Sequence, residues 1–214
     1  NYGLEMNFPL EGYNECLITY ILAASSPTYS IDAETYYKGW ARDGKILTDK
    51  TKYGLPLYVK HNYAEEYGGP LFWSQYSYIG LDPRGLSDKF IKNYFDVNKN
   101  HVLIDYKYCV ENPKNWKGYG ENYWGLTASY TRNNDGGVGY TAHQPTEDRG
   151  VITPTAALSS FPYTPKESMD FLKFIYSQPQ FIGSAGPYDA TSIHYDNWVT
   201  HRYLAIDQGT IAPM

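Results

Sequence analysis

The sequence lacks the features that mark nucleic-acid-binding, membrane-spanning and disulfide-rich proteins. Its 214 residues carry a formal net charge of −5, and no run of Lys or Arg stands out, which argues against a nucleic-acid partner. The best candidate for a membrane span, residues 16–24, has about half of the roughly 20 apolar residues that a span needs. Cys16 and Cys109 are too few for a disulfide scaffold or a zinc site, and we expect both to be buried thiols.

Motifs for metal, phosphate and nucleophilic-serine chemistry are also missing. The five histidines show no HExxH or paired spacing, so no metal is expected. The glycine-rich residues 135–139 have no following Lys-Ser/Thr, and the sequence contains no Gly-x-Ser-x-Gly elbow. No basic segment precedes an apolar one at the start, so we expect no signal peptide within this sequence. The opening Asn leads us to expect a processed chain or a fragment.

Aromatic side chains, by contrast, are abundant, with 24 Tyr, 8 Phe and 5 Trp. The content of 42% hydrophobic and 19% charged residues is typical of a folded chain, and a single domain is predicted over residues 1–214. Half-buried tyrosines explain most of the aromatic count, but not its clustering at residues 117–162. Acids and aromatics alternate there among glycines and prolines, in loops of the kind that carry binding groups. Since sugar rings stack on Trp and Tyr and bond to carboxylates, this stretch predicts a carbohydrate site.

The acids of this stretch each allow two interpretations. Glu121 follows a Gly-Tyr-Gly segment at the start of a predicted helix. It is either a helix-terminal acid or a site acid beside backbone that a ligand approaches closely. Glu147 and Asp148 precede Arg149 in a predicted turn. They either form a solvated ion pair with this arginine or serve as site acids, since both lie within five residues of His143. Residue chemistry leaves both choices open.

Charged residues outside the stretch are further candidates. Glu15 lies in the first turn of a mostly apolar predicted helix, where residue chemistry favours a helix-dipole acid over a general acid with a raised pKa. Asp82 and Arg84 lie in a turn at residues 80–85, where we expect Asp82 to cap the turn and Arg84 to pair with a nearby acid. The alternative is that Arg84 binds a sugar hydroxyl or orients a catalytic carboxylate.

Hydrophobic periodicity predicts a mainly helical fold with long functional loops. The clearest boundary is Thr164, which Pro165 and Glu167 follow in the order of a capping box. Strand alternation is weak, and residues 45–59 supply at most one hairpin. Helices are predicted at residues 13–24, 33–40, 88–95, 101–109, 122–130, 155–160, 165–179 and 198–206, and long loops at 41–70, 111–121 and 131–152.

Six long sequence blocks are spread over nearly the whole chain: YNECLITYILAASSPTYSI, YYKGW, GGPLFWSQYSYIGLDPRG, ENPKNWKGYGENYWGLTAS, AHQPTEDRGVITPTAALSSFPYTPKESM and YLAIDQGTI. In these blocks the chain resembles the bacterial glycoamylase-like proteins, a family that includes the β-1,2-glucanases. The resemblance implies an (α/α)6 toroid, in which two rings of helices surround a sugar-binding cleft. The chain is too short for a full toroid. We therefore expect a catalytic domain that carries roughly the C-terminal half or somewhat more and is incomplete at its N-terminal side.

The resemblance also implies an activity, because members of the glucanase branch hydrolyse β-1,2-glucans or sophoro-oligosaccharides with inversion. It makes Glu15 the leading candidate for the general acid, which reverses the order given by residue chemistry. Inversion requires a second carboxyl group about 6.5–9.5 Å away to hold water. Glu121, Glu147 and acids outside this chain compete for that role. The residues expected to contact sugar are Trp73, Gln75, Arg84, Tyr119, Trp124, His143 and Asp148.

The implied ligand is an oligo- or polysaccharide, and we expect no cofactor, a monomer, and a periplasmic or secreted protein, because polymeric glucan is met outside the cytoplasm. A similar domain occurs in cyclic β-1,2-glucan synthases, so the resemblance alone does not fix the reaction. One alternative is another enzyme, a glucoamylase that cleaves α-glucan. The other alternative is a protein without catalytic activity that binds carbohydrate. The presence of Glu15, Glu121, Glu147 and Asp148 weighs against the second alternative.

Overall fold

The computed structural model describes Gly3 and residues 10–12, 15–60 and 65–214. This part of the chain is mainly helical, and its long loops carry four short antiparallel hairpins. The α-helices are α1 (Leu17–Ala24), α2 (Ala33–Lys38), α3 (Tyr94–Glu111), α4 (Pro154–Leu158), α5 (Pro165–Tyr176) and α6 (Ala205–Gln208). The paired strands are β1 (Thr51–Lys52) with β2 (Leu55–Pro56), β3 (Ala128–Arg132) with β4 (Val138–Ala142), β5 (Ile182–Gly183) with β6 (Gly186–Pro187), and β7 (Thr191–Ser192) with β8 (Trp198–Val199). Short 3-10 helices lie at Arg42–Gly44, Leu71–Ser74, Tyr76–Ile79, Pro145–Glu147 and Pro179–Phe181.

Helices α1, α2, α4 and α5 confirm four of the predicted helices, although residues 13 and 14 lie outside the described ranges. Helix α5 begins at Pro165 as predicted, but its capping box does not form: the Thr164 side chain accepts no backbone N–H of the first turn, and its hydroxyl donates to the Ser160 carbonyl at 3.2 Å. The helix predicted at 198–206 is wrong for most of its length, since β8 occupies its start and α6 begins near its end. None of the helices in the described ranges is long and apolar enough to cross a membrane.

Helix α3 is one continuous helix where the sequence predicted two, at 88–95 and 101–109. It contains all of the second predicted helix and only the last residues of the first. It begins after Asn93, whose side-chain oxygen accepts a backbone N–H of the first turn at 3.1 Å. The segment before it is a turn, in which Asp88 Oδ1 accepts the N–H groups two and three residues later, at 2.8 and 2.7 Å. A side chain that satisfies backbone donors in this way competes with helix formation.

The β3–β4 hairpin contradicts the helix predicted at 122–130, whereas the one hairpin allowed at residues 45–59 is confirmed by β1 and β2. Its register places Tyr130 opposite Tyr140. The side chains that face inward are hydroxyl-bearing, so the alternation along the strands carries no apolar signal on the core side. The buried side chains of this hairpin are those of Ser129, Thr131 and Thr141.

Two buried apolar clusters hold these elements together. The larger one surrounds α3, α4 and α5 and contains Trp124 and Cys109, while the other packs α1 and α2 against the start of α3 around Trp40. Burial of such surface contributes about 25 cal/mol per Å². Cys16 and Cys109 do not form a disulfide with each other; the prediction of a buried thiol is confirmed for Cys109, whereas Cys16 is only half-buried.

The start of α1 is attached to the 3-10 helix that begins at Tyr76. The Ser77 hydroxyl donates to the Glu15 carbonyl at 3.0 Å and accepts the Ile18 N–H at 3.3 Å. The same 3-10 helix reaches α6, because the Tyr76 hydroxyl donates to the Ile206 carbonyl. Residues from opposite ends of the chain therefore meet at this point.

Candidate active site

Three carboxyl groups from distant parts of the chain lie close together. Glu15 precedes α1, Asp189 precedes β7, and Asp207 lies in α6; we refer to these three residues as the acid cluster. Burial raises the pKa of Asp207, and so do the hydrogen bond to Asp189 and the charges of Asp189 and Glu15. The protonation state of Asp207 therefore depends on the other two acids.

Asp189 and Asp207 form a carboxyl pair. Their side chains are 0% and 1% exposed, and burial is the main reason why both pKa values are raised, that of Asp207 to about 8. The two groups are hydrogen-bonded to each other, and adjacent carboxyl groups of this kind cannot both ionise readily, so they share a proton. Asp189 Oδ2 accepts the Tyr130 N–H at 2.9 Å, which favours the charge on Asp189. Asp207 therefore holds the proton near neutral pH.

Glu15 contributes the solvent-exposed carboxyl group of the cluster, and partial burial raises its pKa. Tyr76 and Tyr140 flank the cluster. Burial raises the pKa of both phenols, and the charges of Asp207, Asp189 and Glu15 raise it further, that of Tyr140 to about 12. Both hydroxyl groups stay protonated at neutral pH. The Tyr140 hydroxyl can donate a hydrogen bond to a ligand or a carboxylate, whereas the Tyr76 hydroxyl donates to the Ile206 carbonyl.

This arrangement suits general acid–base chemistry by two separate groups. An accessible acid with a raised pKa can deliver a proton, and a buried pair that holds one proton can accept another. Glycoside hydrolases use neighbouring carboxyl groups of this kind, in which the surroundings keep one group protonated and the other ionised. In the part of the chain that the structure describes, no group of three or more His, Cys, Asp or Glu residues is arranged to hold a metal ion.

Asp148, which the sequence places among the sugar contacts, accepts hydrogen bonds from four internal donors. Its Oδ2 accepts the Tyr108 hydroxyl at 3.0 Å and the Trp116 indole N–H at 2.8 Å. Its Oδ1 accepts the Tyr119 hydroxyl at 2.8 Å and the Gly150 N–H at 2.9 Å. The side chain is buried, at 6% exposed. The geometry therefore gives Asp148 a structural role in place of the predicted sugar contact.

Replacing Asp148 is expected to destabilise the fold strongly. Asp148→Ala leaves buried N–H and O–H donors without an acceptor, at a cost of about 1–3 kcal/mol for each unsatisfied group, so we expect a loss of about 3 kcal/mol or more. Glu147→Ala is the matched control, because its exposed ion pair with Arg149 is worth about 0–1 kcal/mol. Denaturant unfolding of both variants measures the difference. Equal losses in the two variants would mean that Asp148 does not hold this region together.

Four other residues predicted to contact sugar have buried side chains: Gln75, Tyr119, Trp124 and His143. The Gln75 amide donates to Ser160 Oγ at 2.8 Å, and Trp124 packs in the larger apolar cluster. Burial lowers the pKa of His143 to about 4, so its imidazole is neutral at neutral pH. These side chains support the loops from beneath in this structure.

Trp73 and Arg84 are accessible, and sugar contact by either stays a prediction. Arg84 donates to both oxygens of Asp82, at 2.8–3.1 Å, and Asp82 Oδ1 also accepts the Arg84 backbone N–H at 2.9 Å. These bonds confirm the expected turn cap. Arg84 also lines a cavity of about 640 Å³ with Phe161 and Tyr163, and Trp73 is half-buried.

Glu121 and Glu147, the predicted competitors for the base, do not interact with the acid cluster. Both are exposed, and Glu147 pairs with Arg149 at 2.8 Å, as the solvated-turn interpretation has it. Neither charge is among those that shift the pKa of an acid-cluster residue. The structure therefore brings neither glutamate into the site that contains Glu15.

Sequence reasoning missed Asp189, Asp207, Tyr76 and Tyr140 as site residues. Asp207 is the single charged residue of the block YLAIDQGTI, which carries the family resemblance, and that isolation is a signal that could have found it. Asp189 and the two tyrosines have no comparable local signal. Their positions depend on contacts between segments far apart in sequence.

Comparisons with known proteins agree with this fold. The Glycoamylase family model, described as "Putative glucoamylase", matches residues 7–214. The endo-β-1,2-glucanase from Chitinophaga pinensis, solved with sophorotriose and glucose, is 52% identical with a TM-score of 0.89, over 99% of this chain and 50% of that one. A structure from Bacteroides caccae ATCC 43185, described as a putative glucoamylase, is 49% identical with a TM-score of 0.90, also over 99% and 50%.

A curated relative is longer still. The exo β-1,2-glucooligosaccharide sophorohydrolase (non-reducing end) of Parabacteroides distasonis is 40% identical over an alignment of 230 positions, which covers 98% of this chain and 30% of that protein. The chain therefore spans about half the length of the two solved relatives and less than a third of the curated one.

Proposed function

The chain belongs to the Glycoamylase family, and from this membership and the acid cluster we propose that it forms part of a glycoside hydrolase that cleaves β-1,2-linked glucan with inversion. The observation that carries the proposal is the proton-sharing pair of Asp189 and Asp207 beside Glu15. The relatives from Chitinophaga pinensis and Parabacteroides distasonis are named for β-1,2-linked substrates, which supports the linkage.

In the proposed mechanism Glu15 is the general acid. Its carboxyl group reaches solvent, where a bound chain can place its glycosidic oxygen, and its raised pKa favours the protonated form. Glu15 donates its proton to the leaving oxygen as the glycosidic bond breaks. Burial beside other carboxyl groups is a common cause of such tuning in glycosidases.

The carboxyl pair supplies the base. With one shared proton the pair keeps a single negative charge, and it accepts a proton from the water that attacks the anomeric carbon on the opposite face of the ring. Glu15 acts on Asp207 through its charge, and no hydrogen bond between the two is among the causes of the Asp207 pKa shift. Inversion requires water between two carboxyl groups about 6.5–9.5 Å apart, and the proposal assigns these two roles to Glu15 and the carboxyl pair.

The (α/α)6 toroid is part of the proposal. Helix α1 has the sequence LITYILAA, yet Leu17 is its only buried residue in the described structure, and Leu22 is 63% exposed. A helix that is apolar on all sides is usually buried by packing against other elements, so we expect further helices to pack on the exposed faces of α1. Further helices of a toroid, in the part of the relatives that this chain does not span, would cover α1 and close the cleft around Glu15.

We place the enzyme in the periplasm or outside the cell, because polymeric glucan is met there, and we propose that carboxyl groups alone perform the proton transfers. The experiment that tests the function is a product assay on linear β-1,2-glucan, sophorotriose and soluble starch. It uses the longest natural protein that contains this chain. Release of short sophoro-oligosaccharides is the expected result. Breakdown of starch alone would identify an α-glucan hydrolase, and binding without turnover of any substrate would identify a carbohydrate-binding protein.

A further inference from the structure

A polar cavity at the tip of the β3–β4 hairpin has no part in the proposed acid–base steps. Its volume is about 670 Å³, and we refer to it as the hairpin cavity. The hairpin contributes one wall, and the loop after β7 and the segment around Trp116 contribute the others. The lining residues that matter here are Trp116, Arg132, Asn133, Asn134, Arg149 and Tyr195.

The outer face of the hairpin connects this cavity to the acid cluster. At the near end, the Tyr130 N–H donates to Asp189, and the pKa of Tyr140, opposite Tyr130, responds to the charges of the cluster. Because alternate residues of a strand share a face, Arg132 points to the same side as Tyr130 and lies about 7 Å further along. The face therefore leads from the acid cluster into the hairpin cavity over a distance that a short oligosaccharide can span.

The aromatic groups of the cavity are held in place by one another. The Arg132 guanidinium lies 4.9 Å from the centre of the Tyr195 ring, and the Trp116 ring is 6.3 Å from the same ring. His194 packs edge-on against both aromatic rings, at 4.7 and 4.9 Å. A preformed wall of aromatic faces with a planar cation beside it suits the C–H faces and hydroxyl groups of a sugar ring, because little ordering is needed on binding.

The charges of the cavity favour a neutral ligand. Arg132 and Arg149 are matched by Asp135 and Asp148 among the lining residues, and Arg149 is further paired with Glu147 at 2.8 Å. The balance leaves no excess cation for a phosphate or a carboxylate. The amides of the neighbouring asparagines offer both donors and acceptors, as a polyhydroxyl ligand requires.

We propose that the hairpin cavity binds a glucosyl unit of the glucan chain at a distance from the bond that is cleaved, and thereby sets a preference for longer chains. This inference rests on the proposed function, since it assigns a second binding position to the same substrate. Trp116 and Tyr195 provide the stacking faces, and Arg132 orients the Tyr195 ring and donates to sugar hydroxyls. The cavity thus adds affinity for substrates long enough to reach it and none for short ones.

The test compares Tyr195→Ala with Tyr195→Phe, in the longest natural protein that contains this chain. Loss of the ring is expected to raise KM for linear β-1,2-glucan about tenfold, or about 1.4 kcal/mol, with kcat unchanged. The kinetics on sophorotriose should not change, and the Phe variant, which keeps the ring, should behave as wild type. Arg132→Ala is a second variant with the same expected pattern. Tyr176→Ala, an exposed tyrosine at the end of α5, is the control.

Two outcomes overturn the cavity proposal: equal changes on both substrates, or an unchanged KM for the glucan in both cavity variants. Calorimetric titration of Glu15→Gln, with and without Tyr195→Ala, measures binding without turnover, using sophorotriose and a longer linear β-1,2-oligosaccharide. Wild-type protein that turns over neither substrate contradicts the proposed function. Equal affinity of the two titrated proteins for the longer oligosaccharide contradicts the cavity proposal on its own.

Discussion

Glu15→Gln is expected to lower kcat on linear β-1,2-glucan by about 10²–10⁴-fold, the range that loss of a general acid causes. The amide occupies the same space, and the hydrogen bond from Ser77 to the Glu15 main chain is unaffected, so binding of oligosaccharide should be kept. A dinitrophenyl glycoside of sophorose has a leaving group that needs no proton. Its hydrolysis should therefore fall far less than that of glucan, and kcat on the two substrates measures the difference.

The controls are Glu121→Gln and Glu147→Gln, which change exposed glutamates whose charges do not act on the acid cluster. Both should keep turnover close to that of wild type, although the sequence offered each as a catalytic residue. A loss of the same size on glucan and on the aryl glycoside would remove Glu15 from the acid role. Full turnover of glucan by Glu15→Gln would do the same.

Asp207→Asn is expected to lower turnover of both substrates, because the pair can no longer pass its proton to Asp189 and place the negative charge on Asp207, while it stabilises the fold at mildly alkaline pH. Activity falls on the aryl glycoside as well, because activation of water is needed whatever the leaving group, by about 10²–10⁴-fold. This pattern differs from the one expected for Glu15→Gln. The two variants together therefore separate the acid from the base.

The effect on stability follows from the raised pKa of Asp207. In the folded protein Asp207 stays protonated up to about pH 8, whereas in the unfolded chain it ionises near the ordinary value of 3.8. Between these values the unfolded state binds fewer protons, so the free energy of unfolding of the wild type falls as pH rises. Asn does not titrate, and its N–H can donate to Asp189. The advantage of the variant over wild type should grow from about pH 5 to about pH 8 in denaturant unfolding.

A pH-independent difference in stability would contradict the shared proton. So would a variant that is less stable than wild type at every pH, because a carboxyl group with a purely structural role loses stabilising contacts when it is replaced. Asp96→Asn is a suitable control, since Asp96 is an exposed acid in the first turn of α3. Denaturant unfolding of this variant over the same pH range gives the background for the comparison.

The sequence predicted those parts of the fold in which local pattern and tertiary packing agree. Helix α5 has an apolar stripe and Pro165 at its first position, and its start was predicted to the residue. The β3–β4 hairpin was missed because its inward side chains are Ser129, Thr131 and Thr141, whose burial depends on polar partners in other segments. The helix predicted at 88–95 does not form over its first residues for a similar reason, because the Asp88 side chain accepts backbone N–H groups there.

The candidate site was predictable only in part. Glu15 was found through the family resemblance, since its residue type and helix position alone favoured a different interpretation. Asp189 and Asp207 become a pair because the segment before β7 meets α6 in the folded chain, and neither local sequence shows that contact. Asp148 shows the opposite case, in which a local pattern misleads. An acid among aromatic residues predicted a sugar contact, but the aromatic side chains donate their hydrogen bonds to the acid itself.

The measurement that tests the account most directly is the anomeric form of the first product. Proton NMR during the first turnovers of linear β-1,2-glucan, before mutarotation, reports which anomer the enzyme releases. A single displacement by water held at the Asp189–Asp207 pair predicts the α-anomer. Initial release of the β-anomer would show that a covalent intermediate forms, and would contradict the assignment of Glu15 and the carboxyl pair as acid and base of an inverting enzyme.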